Sequence, residues 1–277
     1  MSTRGALPTL LIYAVLLAGA FVMFLPFMIT IATALSKNIY ALTTAPTLIP
    51  REPTVDNFVT AWTSNRFALY FLNSLQVAVA TTVLTVAIAA MQGYAFARLD
   101  FPAKNAIFTF YLLTLSLPTV VLVIPQFMQA RALGLLNTLP ALVLIYVAGS
   151  VPFQTFFMRS FFERIPKELE EAAYIDGCSR LGAFLRIALP LSLPALGTAA
   201  IFAFLASWDE FTWALTAIND VEKRTLPIAI RLFQGQHSSQ WGLVFAAGLI
   251  AIVPVMAVFV LFQSAFVKGL SVGGVKG

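Results

Sequence analysis

Six stretches of this chain contain no Asp, Glu, Lys or Arg: Gly5 to Ser36, Phe67 to Ala97, Asn105 to Ala130, Ala132 to Met158, Ile187 to Trp208 and Leu232 to Val267. A helix needs about 20 predominantly apolar residues to cross the hydrocarbon core of a bilayer, so each stretch can hold one crossing and none comfortably holds two. Strands are the poorer reading, because a membrane barrel alternates in segments of about ten residues, unlike the long apolar run from Val77 to Ala90. The expected fold is an all-α membrane protein with about six transmembrane helices, over residues 8–35, 68–97, 105–130, 138–158, 187–208 and 241–266 of a single domain, 1–277. The first stretch is about twice the length of a secretory apolar region and reads as an uncleaved span.

Composition agrees: 60% of residues are hydrophobic, 10% are charged, and the mean hydropathy is +0.88. A bilayer accepts apolar side chains around the whole circumference of a helix, whereas a soluble protein this apolar exposes large greasy patches. The lone cysteine, Cys178, excludes an internal disulfide, and the lone histidine, His237, argues against an imidazole metal site. The net charge of +5 comes from basic residues scattered between apolar runs, which speaks against nucleic acid as a partner. Their placement orients the chain instead. With the N-terminus in the cytosol, the densest basic segment, Arg159 to Arg186, and both termini fall on the cytosolic side.

Prolines at 26, 118, 125, 152, 190, 194 and 254 each remove a backbone donor, which predicts kinked or broken spans. Between the fourth and fifth spans, residues 163–186 spell a short helix, a turn and another short helix. Pro166 suits a first helical position, Glu168, Glu170 and Glu171 suit the positive end of the dipole, Gly177 suits a left-handed cap, and Ser179 can cap the second short helix. Leu169, Ala172, Ala173 and Asp176 share one face of small, mildly apolar character. A helix lying on the membrane surface is the bland alternative, but such helices present large apolar side chains, and two alanines with a carboxylate fit a protein groove better.

Glu171-Ala172-Ala173, then Asp176-Gly177, then Phe184, Ile187, Leu189-Pro190 and Pro194 resemble the EAA loop of binding-protein-dependent ABC importer permeases. Cys178 stands where a small residue is usual. Trp208-Asp209-Glu210-Phe211 is similar to the W-N-E-F of the carbohydrate branch, of maltose-transporter type, and the tail 268–277 is similar to that branch's K-G-L-[TS]-x-G-[AG]-V-K-G ending. The likeness spans nearly the whole chain, including the long first outer loop with Asp56-Asn57-Phe58.

The resemblance implies a cytosolic coupling helix docked on an ATPase, with Glu171 as charged anchor, Ala172 and Ala173 as close-packing face, Asp176 and Gly177 as the turn, and Leu189 and Pro190 leading into the next span. Lys268, Gly269, Gly273, Gly274 and Lys276 become a second contact to the ATPase. The partners it implies are a second permease as heterodimer, two P-loop ATPase subunits that bind ATP and Mg, an extracytoplasmic solute-binding protein and the lipid bilayer of a bacterial or archaeal inner membrane. No glycine here is followed by lysine, so the chain carries no Walker phosphate loop of its own and is expected to be a transporter subunit, not an enzyme.

Candidate residues for a translocation path are Asn73, Gln76, Gln126, Trp208, Asp209 and Glu210; hydrogen bonding between helices and interfacial anchoring explain the amides and tryptophans equally well. An intramembrane enzyme lacks its catalytic constellation here, and Asp209 and Glu210, the adjacent carboxylates at a span edge, read as solvated. A secondary carrier fits the topology but has no use for an ATPase-docking loop. A non-sugar cargo, such as a glycerol phosphate, polyol or polyamine, is the alternative within the same architecture.

Overall fold

The computed structural model describes residues 6–38, 40, 48–50, 52–235 and 239–271. Its helices in chain order are α1 (Ala6–Ala34), α2 (Asp56–Thr63), α3 (Phe67–Arg98), α4 (Lys104–Thr114), α5 (Thr119–Ala132), α6 (Leu139–Phe162), α7 (Glu168–Ile175), α8 (Arg180–Ala183), α9 (Leu189–Leu191), α10 (Leu193–Trp208), α11 (Thr212–Ala217), α12 (Leu226–Leu232) and α13 (Trp241–Ser271). Among the described residues the only β-structure is two isolated bridges. Helices α1, α3, α6 and α13 are each long and apolar enough to cross a membrane, and two bent pairs bring the crossings to six if each pair is one span. The chain divides into two compact units, Met1–Ala68 with Ala229–Ile252, and Leu69–Ile228 with Val253–Gly277.

In the first unit, α1 is apolar on every side, and its side chains from Leu10 to Phe24 are largely exposed. That profile suits a helix whose surroundings are hydrocarbon or apolar protein. Its C-terminal end is pinned by Asn57 of α2, which is buried and donates from Nδ2 to the carbonyls of Ala34 and Ser36, both at 2.8 Å. Phe67 and Phe233, both fully or nearly buried, pack with ring centroids 6.4 Å apart.

The second unit holds α3 to α11. The sequence reads residues 105–130 as one span, but α4 and α5 meet at 104°. Pro118 explains the break, since it has no N–H to continue the ladder and disfavours the helical conformation of Leu117 before it. The fifth span is broken as well: residues Arg180–Leu191 and Leu193–Trp208 are bent by 76°. Pro190 and Pro194 delete the amides that a regular helix aims at the carbonyls of Arg186 and Pro190. The backbone compensates with a π-turn over Phe184–Ala188, in which Leu189 N–H reaches back to the Phe184 carbonyl. At the bend, the Ser192 hydroxyl donates to the Leu189 carbonyl at 2.9 Å.

α3 and α6 approach closely where Gly93 faces Met158 and Arg159; a Cβ on Gly93 lies 2.7 Å from Met158 Cβ and 2.8 Å from Arg159 N. The hydrophobic core beside it gathers Ala89, Ala90, Tyr94, Met158, Phe162 and Phe184. Small residues let membrane helices approach until dispersion and backbone contacts take effect. Gly93→Leu is therefore expected to cost about 1–3 kcal/mol through overpacking, read as a lowered thermal midpoint in detergent. Gly19→Leu, at a position with open space around it, is the control expected to leave the midpoint within error.

Candidate coupling site

Residues 163–188 fold much as their local chemistry dictates. α7 ends in a left-handed cap at Gly177, φ +86°, with Cys178 N–H donating to Ala173 O at 2.9 Å and Gly177 N–H to Tyr174 O at 3.1 Å. These are the two reversed bonds of a Schellman closure, which satisfies carbonyls that the helix end leaves open. Ser179 caps α8, its Oγ accepting from Gly182 N–H at 3.1 Å. Pro166 differs from its expected place: α7 begins at Glu168, and Pro166 opens the turn before it, its carbonyl accepting from Leu169 N–H at 3.4 Å.

The anchor within the chain is Glu170, which the sequence marks only as one of three acids at the helix start. It is 3% exposed; its Oε1 accepts from Arg98 Nε at 2.7 Å and its Oε2 from Tyr94 Oη, also at 2.7 Å. Arg98 donates again to the Ile165 carbonyl just ahead of α7. Both side chains of the Arg98–Glu170 pair are buried, and together with Tyr94 they bind α7 to the end of α3. A buried ion pair of this kind needs further hydrogen bonds to offset its desolvation, and Tyr94 and Ile165 provide them here.

With Glu170 turned inward, its neighbour Glu171 is turned outward and exposed. The two alanines separate in the same way. Ala173 is buried at 7% exposure and packs within the chain, whereas Ala172 is exposed, so the expected shared alanine face is corrected: one residue apart on a helix is about 100° of rotation. The outer surface presents Glu171, Ala172, Ile175, Asp176 and Leu181, with Ile175 87% exposed. Leu189 is half-buried against the core and Pro190 is exposed, just past the π-turn.

The candidate path residues do not form one set. Gln126 and Glu210 line a cavity of about 300 Å³ with Tyr146, Ser150, Thr212 and Trp213. Glu210 is not a solvated loop carboxylate: it accepts from Tyr146 Oη at 2.6 Å and from the amides of Trp213 and Ala214 at 2.8 and 3.1 Å. Asp209 is exposed and stands outside that wall, with partial desolvation raising its carboxyl above the ordinary range. Trp208 is buried, stacked on Phe204 and edge-on to Phe71. Asn73 is also buried, and its Nδ2 donates to two backbone carbonyls, of Glu222 at 2.8 Å and Arg224 at 2.9 Å, while Gln76 is exposed elsewhere on α3. Of the tail, Lys268 and Gly269 lie in the last turns of α13; Gly273, Gly274 and Lys276 lie outside the described residues, as does His237.

Residues 86–272 match the model of the binding-protein-dependent transport system inner membrane component, a stretch that includes the whole of the coupling segment. The chain belongs to this family. It is a membrane transporter subunit of the ABC permease type. It is 41% identical over 237 residues to the sulfoquinovosyl glycerol transport system permease protein SmoH of Agrobacterium fabrum, covering 85% of this chain and 83% of that one. It is 38% identical over 233 residues to the trehalose/maltose transport system permease protein MalG of Thermococcus litoralis, covering 83% and 84%. Its fold is shared with a chain from the crystal structure of a bacterial ABC transporter involved in the import of the acidic polysaccharide alginate, with TM-score 0.80, 20% identity, and 96% and 99% coverage.

Removing one partner of the buried pair leaves the other charge unpaired. Glu170→Ala in this permease is expected to destabilise by about 3–5 kcal/mol, whereas Tyr94→Phe, which deletes one hydrogen bond to the carboxylate, costs about 1.5–3 kcal/mol. Thermal unfolding of the two variants in detergent, side by side with the parent, checks the ordering.

Proposed function

We propose that this chain forms half of the translocation path of an ATP-driven importer for a sugar or oligosaccharide, and that the segment 163–186 is where an ATPase subunit takes hold of it. The observation that carries the reading is the division of α7 into two faces. One face is bound to α3 through Glu170, Arg98 and Tyr94, and the other offers Glu171, Ala172 and Asp176 outward. A partner that moves α7 therefore moves a transmembrane helix. ATP and Mg belong to two separate P-loop subunits, and a second permease, joined as a heterodimer, supplies the other half of the path. A solute-binding protein delivers cargo from the outer face, with both termini of this chain in the cytosol and the tail 268–277 adding a second ATPase contact.

Sugar as the cargo class is supported by the trehalose/maltose and sulfoquinovosyl glycerol systems of the relatives. The cavity lined by Gln126, Ser150, Thr212 and Glu210 has the amide, hydroxyl and carboxylate groups that polyhydroxylated solutes use. A glycerol phosphate, polyol or polyamine is the competing cargo, and a panel of solutes in a ligand-stimulated ATPase assay separates them.

Two substitutions test the coupling role. Glu171→Lys reverses the outward charge, and Gly177→Pro cannot adopt the positive φ that the cap requires. Each is expected to lower ATP-dependent uptake by an order of magnitude or more, since a coupling contact of about 1.4 kcal/mol is already tenfold, while membrane insertion stays normal. Full uptake in both variants contradicts the assignment.

A further inference from the structure

Resting on the reading above, we infer that α3 is a rigid rod through which the coupling helix and the loop 218–226 report on each other's position, with Asn73 and Ser74 as positioning residues at its outer end. The helix is gripped by buried polar contacts at both ends. At one end Tyr94 and Arg98 hold Glu170 of α7. At the other, Asn73 Nδ2 donates to the carbonyls of Glu222 and Arg224, and Ser74 Oγ accepts from Leu226 N–H at 2.8 Å. Asn73 and Ser74 are 6% and 4% exposed, so neither bond competes with bulk solvent.

The separation matches the task. From residue 73 to residue 94 is about 30 Å of helix at 1.5 Å per residue, close to the thickness of the hydrocarbon core. The material between carries no proline: of the described helices with 14 residues or more, α1, α5, α6 and α13 have Pro26, Pro125, Pro152 and Pro254 inside them, α10 has Pro194 only in its first turn, and α3 has none. Helices kink at proline because a ladder bond is lost, and a helix without one transmits displacement with less bending.

The loop at the far end is held together by its own contacts and tied to the segment before α6. Asn137 Oδ1 accepts from the amides of Asn219 and Asp220 at 2.6 and 3.0 Å, Asp220 Oδ1 accepts from Glu222 N–H at 3.0 Å, and Lys223 Nζ lies 3.3 Å from Asp220 Oδ2. Under the proposed orientation this loop lies on the outer face, where the binding protein arrives. Coupling between two sites requires an element that both can bias, and α3 is the element that contacts both through buried, directional bonds.

The test uses the assembled importer in nanodiscs, with its ATPase, second permease and binding protein, and reads hydrolysis with and without the loaded binding protein. The double variant Asn73→Ala/Ser74→Ala is expected to assemble and to hydrolyse ATP at the parental rate without binding protein, but to lose about tenfold of the stimulation. The milder Ser74→Ala alone is expected to lose part of it, which keeps the test informative if the double variant does not assemble. In parallel, hydrogen exchange of residues 218–226 is expected to change when a non-hydrolysable ATP analogue is added to the parent, and to change less in Tyr94→Phe, at the opposite end of the rod. Stimulation within twofold of the parent in Ser74→Ala and in any assembled double variant, or no nucleotide-dependent exchange in the parent loop, overturns the rod. A parental complex whose hydrolysis the binding protein does not stimulate at all overturns the importer reading instead.

Discussion

The buried pair of Arg98 and Glu170 is the interaction on which the working part of this permease depends. Two charges withdrawn from water repay their desolvation only with good geometry and further hydrogen bonds, and here Tyr94 Oη and the Ile165 carbonyl supply two of them. That requirement makes the geometry of α7 against α3 hard to vary. It also decides which side of α7 is left over: once Glu170 points in, the helical repeat turns Glu171 and Ala172 out, and the closure at Gly177 ends the helix before α8.

Elsewhere the bilayer sets the terms. Backbone amides and carbonyls in hydrocarbon must be satisfied within the protein, so irregular backbone is tolerated only where protein or a cavity takes up the freed groups. Both broken spans obey this. Thr119, just past the α4–α5 break, lines the cavity that also holds Gln126 and Glu210, and the bend at Ser192 is closed by that residue's own hydroxyl on the Leu189 carbonyl. The π-turn before Pro190 takes up the amide that the proline displaces from the normal register.

How much of this is legible in the chain alone depends on the range of the forces involved. Charge-free runs locate helices because desolvation acts residue by residue, and the observed α3, Phe67–Arg98, differs by one residue at each end from the expected 68–97. The roles of Gly177 and Ser179 are legible because caps are made within four residues. That of Glu170 is not: it and Glu171 are the same residue with the same local preference, and the difference between them is Arg98, 72 positions away in the chain. Asn73 reads as a path candidate for the same reason, since its carbonyl partners lie about 150 residues on. The fifth-span bend is foreshadowed by Pro190 and Pro194, but its angle depends on packing between α8, α9 and α10, which no local pattern encodes.

On the proposed reading an ATPase subunit covers α7 and α8 in the working complex, and purification of the tagged chain from native membranes in mild detergent, with mass spectrometry of the proteins retained, tests this most directly. A P-loop ATPase and a second multi-span permease are expected in stable association with the chain. Recovery of the chain alone, moving solute in liposomes without ATP, contradicts the coupling of this permease to a separate ATPase.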